Sequence, residues 1–99
     1  MKMNVQAVNF NADQKLIDFM QRKLDKLDHF YDKIIDADVY LKLDNNHSKE
    51  NKIVEVKLNI PGNDLIVTKE CTSFEEAADQ ASLVLGRQLK KRKEKLAGA

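Results

Sequence analysis

The chain has 99 residues, of which 42% are hydrophobic and 33% charged, with one proline and three glycines. This excludes a low-complexity or disordered tail and allows one modest core, burying roughly 60–70% of the surface the unfolded chain exposes. The charges almost cancel, 17 Lys plus Arg against 16 Asp plus Glu, so any electrostatic role rests on where the charges lie.

Met3, Val5 and Ala7 alternate with Asn4 and Gln6, the period of a half-buried first strand. Asp13 is a good N-cap for a helix over roughly 13–30, in which Leu16, Ile17, Met20, Leu24, Leu27 and Tyr31 recur at spacings of three and four. Ala37, Val39, Leu41 and Leu43 alternate with polar residues in a second strand, and a polar loop from Asp44 to Asn51 follows. Val56, Leu58 and Ile60 mark a third strand. Pro61-Gly62-Asn63-Asp64 is turn chemistry leading into a fourth around Leu65 to Cys71. Ser73 caps the last helix, Glu76 completes a capping box, and Phe74, Ala78, Ala81, Leu85 and Leu89 form its apolar stripe.

The order βαβββα predicts an α+β fold, one domain over 1–99. If the first two strands are parallel neighbours joined by a right-handed crossover, and the next three are antiparallel in sequence order, two parallel helices cover one face of a four-stranded sheet. Their C-terminal halves then share one end of the domain.

From Arg87 to Lys95 the last helix carries six basic residues and one acid, Glu94, whereas Glu75, Glu76 and Asp79 occupy its start. On a helical wheel Lys15, Arg22, Lys23 and Lys26 lie to one side of the first helix's apolar stripe, with Asp18, Asp25 and Asp28 on the other. Arg87, Lys90, Lys91 and Lys95 fall within an arc of about 140° away from Leu85 and Leu89. Together the two strips predict a positive surface suited to phosphate, with affinity from counterion release and little sequence readout. The charge pattern alone leaves a second reading open, in which the basic end complements the helix dipole and aids solubility.

Catalytic chemistry has no constellation to carry it. His29 and His47 lack metal-spaced partners and read as surface histidines, Cys71 reads as a small packed residue, and the carboxylates are scattered. No enzyme, cofactor, metal or small-molecule substrate is expected. One cysteine closes no intrachain disulfide, the start lacks a signal peptide's apolar run, and no stretch approaches the roughly 18 apolar residues of a membrane span. A cytoplasmic protein without membrane contact is expected. Phe19, beside the basic strip, fills the groove between the helices or stacks on a base. Leu83 and Val84 fall on the outward side of the last helix, as scattered surface apolars or, with the open sheet face around Tyr40 and Ile66, as a protein contact.

The runs KLDKLDHFYDKIIDADVYLKLDN (23–45) and GRQLKKRKEKL (86–96), with PGNDLIV between them, resemble the bacterial hibernation promoting factor and YfiA/RaiA family of ribosome-associated proteins across essentially the whole chain. The resemblance implies a domain shaped like double-stranded RNA-binding domains. It also implies docking on 16S rRNA in the mRNA and tRNA channel of the 30S subunit and the 70S ribosome, with steric inhibition of translation in stationary phase or stress. Lys23 and Lys26 match basic positions of the family's first helix, and Arg87, Lys91 and Lys93 those of the second. Lys90 and Arg92 belong to the same run at less fixed positions, and Arg22 adjoins them on charge. Val84 departs from the pattern, standing where related chains often carry lysine. The chain stops just after the second helix, so the resemblance is nearer to the short forms, monomers off the ribosome that promote or stabilise inactive 100S dimers. A YfiA/RaiA-like inhibitor of 70S monomers and a general double-stranded RNA-binding module are the alternatives.

Overall fold

The computed structural model describes residues 1–8, 10–44 and 51–97, the last three by backbone alone. Most of the polar loop, His47 included, and the side chain of Lys95 lie outside the described residues. β1 (Lys2–Val8), α1 (Gln14–Asp25), a 3-10 turn (Lys26–His29), β2 (Asp36–Leu43), β3 (Lys52–Asn59), β4 (Leu65–Cys71) and α2 (Phe74–Ala97) follow in chain order. The sheet order is β1-β2-β3-β4, with β1 and β2 parallel and the other neighbours antiparallel.

Strand alternation sets the two faces of the sheet. Val39 pairs with Val5 and Val56, and Val56 with Val67, so the period-2 pattern aligns across all four strands on one side. Ala37, Val39, Leu41, Val54, Val56, Leu58, Val67 and Cys71 are buried on that side against Leu16, Met20, Leu24, Leu85 and Leu89 of the helices. The other face is polar and open. There Asn59 donates to Asp36 and Asp38, and Asn4 to Asp38. These bonds, Asn59's first, hold the Asp38 carboxyl below its ordinary range. Tyr40 and Ile66 are exposed on that open face.

Asp13 caps α1, its carboxylate accepting from the Leu16 N–H at 2.8 Å. The helix does not run on as α to residue 30. After Asp25 it tightens into the 3-10 turn, where Phe30 and Tyr31 both donate to the Leu27 carbonyl. Ser73 caps α2 through the Glu76 N–H, but the Glu76 carboxylate accepts from the Thr72 hydroxyl, so the reciprocal half of the capping box is replaced by a bond one residue earlier. Stacked Phe10 and Phe74 rings, 4.8 Å apart, fasten the start of α2 to the segment after β1.

The far part of α2 is held differently. Arg92 reaches the β3–β4 turn and donates to the carbonyls of Pro61 at 2.7 Å and Asn63 at 3.2 Å. Gly62 sits at φ +96°, where an added Cβ would lie 2.5 Å from the Arg92 guanidinium. Gly62→Ala therefore combines a left-handed backbone penalty of about 1–2 kcal/mol with eviction of Arg92. We expect urea denaturation to show less than additive loss in Gly62→Ala/Arg92→Ala, because the second change removes the clash.

Candidate nucleic-acid interface

Two sequence features place cations between the helices. The acidic flank of α1 turns toward the chain start, where the Met1 amine lies 3.2 Å from Asp25 and 2.8 Å from Asp28. Asp28 first and Asp25 second hold that amine above its ordinary value. The basic flank accordingly faces α2. Lys23 pairs with Asp79 at 2.7 Å, and Leu27 lies under Gly86, 3.7 Å from where a Cβ there would sit. Phe30 lines a hollow together with Lys90 and Lys93. This succession confirms that the helices run parallel, with a stagger that sets the 3-10 turn beside the middle of α2.

The resulting groove has a volume of about 400 Å³ and is floored by Leu27, Gly86, Phe30 and Leu83, with Lys23, Lys26, Arg87 and Lys90 at its rim. A second hollow of about 380 Å³ continues from Phe30 and Lys90 to His29, Lys93 and Glu94. Lys26, Arg87, Lys90 and Lys93 are exposed, and cations so gathered from two elements concentrate positive potential beyond what a net charge of +1 implies.

The other basic residues take different positions. Arg22 is exposed on α1 one turn before Lys26, and Lys91 on α2 one turn beyond Arg87, so both extend the surface outside the groove. Lys23 is partly covered, its ammonium over the Phe19 ring at 5.4 Å as well as on Asp79. Phe19 is half-buried and packs on the core. Arg92, half-buried and committed to two carbonyls of the turn, is set apart from the groove. Leu83 is exposed as predicted, but Val84 is half-buried and packs on the core.

Two contributors escaped the sequence reading. Lys69 stands at a helix-facing position of β4, between buried Val67 and Cys71, and lines a small hollow with Gln80, Leu83, Val84 and Arg87. A lysine at inward parity of a strand was the signal for a side chain that reaches out to the rim. Phe30 is the second. Its neighbour Tyr31 is buried at 6% exposure while Phe30 stands 49% exposed. Among the described residues no group of three or more His, Cys, Asp or Glu could hold a metal ion, and no helix is long and apolar enough to cross a membrane.

Residues 3–97 match the model of a family described as "Sigma 54 modulation protein / S30EA ribosomal protein". The chain is 33% identical over 95 residues to a ribosome hibernation promoting factor of Pseudomonas putida, covering 96% of this chain and 89% of that one. It is 34% identical over 98 residues to the ribosome hibernation promotion factor of Bacillus subtilis, there covering 97% of this chain but 50% of the relative. The crystal structure of the Thermus thermophilus Protein Y N-terminal domain superposes with a TM-score of 0.80 at 25% identity, covering 92% of this chain and 98% of that one. A ribosomal subunit interface protein from Coxiella burnetii has the same fold, at a TM-score of 0.83 and 20% identity over 95% of this chain and 99% of that one.

Proposed function

The chain belongs to the Sigma 54 modulation protein / S30EA ribosomal protein family, and from that premise we propose that residues 1–99 act as a single ribosome-binding domain. It docks on 16S rRNA in the mRNA and tRNA channel of the small subunit, in the cytoplasm, and inhibits translation by occupying that space. The mechanism is steric, with no bond made or broken. The observation that carries the reading is the convergence of Lys26, Arg87 and Lys90, with Lys23, on one groove between α1 and α2.

Six exposed cations, Arg22, Lys26, Arg87, Lys90, Lys91 and Lys93, are available for phosphate. If each makes one contact, duplex theory gives a log-log salt slope of about −5. Co-sedimentation with 30S subunits and 70S ribosomes should therefore weaken steeply with salt, and its absence at low salt would sink the proposal. Competition by isolated RNA duplexes separates ribosome recognition from general duplex binding. We propose further that the bound protein promotes 100S dimers. A sucrose gradient of stationary-phase extract with and without the protein decides between this and silenced 70S monomers.

Asp79 places a negative charge at one end of the groove and occupies Lys23. An ion pair at about 4 Å in water-like surroundings is worth roughly 1 kcal/mol. Asp79→Asn should thus tighten ribosome binding about fivefold at low salt, with the gain fading as salt rises. Weakened binding would mean that the pair positions Lys23.

A further inference from the structure

Phe30 and Leu83 sit where a purely electrostatic surface has no use for them. They are 49% and 56% exposed and lie in the same cation-rimmed groove. Phe30 and Tyr31 follow directly on the 3-10 turn. Both N–H groups bond to the Leu27 carbonyl, yet the Tyr31 ring enters the core while the Phe30 ring stays exposed and lines the groove.

Resting on the ribosomal reading above, we propose that this groove takes an unpaired nucleotide of RNA, its base stacked on Phe30 and its phosphates held by Lys26 and Lys90. An RNA duplex hides its base faces in its own stack and offers such a surface only phosphates and 2′-hydroxyls. A splayed base presents a flat apolar face, and aromatic stacking with neighbouring cations is how single strands are held. The groove has both halves of that chemistry, an apolar floor ending in an aromatic ring and a cationic rim. Its volume of about 400 Å³ falls within the roughly 300–1,000 Å³ of small-ligand sites. Polarity follows from the acids. Asp79 stands with Lys23 at one end, so the phosphates lie toward Lys26 and Lys90, and Glu94 bounds the hollow beyond. The rival occupant is an acidic peptide with an apolar anchor, which needs the floor but not the ring.

The sequence contains no tryptophan, so Phe30→Trp installs a single reporter on the full chain. A short single-stranded oligoribonucleotide should quench its emission at low salt, whereas the same sequence as a duplex should not. Phe30→Ala and Phe30→Leu should each weaken binding to small ribosomal subunits by roughly 5- to 150-fold, the range for loss of one base–aromatic stack. Phe30→Trp, which keeps an aromatic face, should retain more of the affinity than Phe30→Leu or Phe30→Ala. The salt slope should not change, because no phosphate contact is removed. Wild-type affinity in Phe30→Leu, or unquenched Phe30→Trp emission in the subunit-bound state, overturns the proposal. If the parent protein fails to bind subunits, the ribosomal reading falls by itself, and the oligoribonucleotide titration still decides for or against the nucleotide site.

Discussion

Charge reversal at Lys26, Arg87, Lys90 and Lys91 together should abolish ribosome binding while the domain stays folded. All four side chains are exposed, and surface substitutions of this kind usually change stability by no more than about 0.5 kcal/mol each. Hydrogen bonds to charged groups contribute about 1.5 kcal/mol or more each. Losing four of them costs roughly 6 kcal/mol, or about four decades in Kd, and four new carboxylates facing phosphate add repulsion. The check is co-sedimentation with 30S subunits at low salt beside a thermal melt. Binding that survives in a folded variant would move the interface to another face, the open side of the sheet around Tyr40 and Ile66 being the first to examine.

Leu85→Ala should have the largest effect on stability. Leu85 is fully buried at 0% exposure among the residues of α1 and the sheet. Removing its isobutyl group forfeits transfer free energy and leaves a cavity, a loss of about 2–5 kcal/mol. A chain of 99 residues has roughly 5–15 kcal/mol in total. Taking about 3 kcal/mol, Tm falls by about 12–24 °C. Leu83, two residues earlier on the same helix, is 56% exposed, and Leu83→Ala should leave Tm nearly where it was. Equal melting losses in the two variants would contradict the assignment of α2's buried face. The pair also separates stability from binding, since Leu83 lines the groove and Leu85 does not.

What could be read from the sequence was what depends on near neighbours. The Asp13 cap and the Ser73 cap each act over three residues, and both stand as expected. The alternation through Val39, Val56 and Val67 aligns because a strand's faces repeat every two residues whatever lies across from it. The 3-10 turn was hidden because buried Leu27 and Tyr31 keep the four-residue spacing of the α-helical stripe straight through it. Phe30 lies one residue off that stripe and stays outside. The other misses are tertiary. Nothing near Lys23 in sequence announces Asp79, and nothing in the run from Arg87 to Lys93 marks Arg92 as the residue that reaches back some 30 positions to a turn, to Pro61 at 31 and Asn63 at 29. A charge run shows that cations are present, but each one's partner comes from the fold.

The contrast between the two ends of α2 bears on how the molecule arrives. Glu75 and Glu76 occupy its first turn, Arg87 to Lys93 its far part, and the net charge is only +1. As a whole the protein is nearly invisible to a distant polyanion, with little force to draw it toward nucleic acid at random. As an electric dipole along a helix of 24 residues, about 36 Å long, it feels a torque once within about a Debye length, roughly 8 Å at physiological salt. Orientation therefore precedes contact. Beside a polyanion a molecule so charged is turned basic end forward over the last ångströms, its separated charges supplying rotation more than attraction.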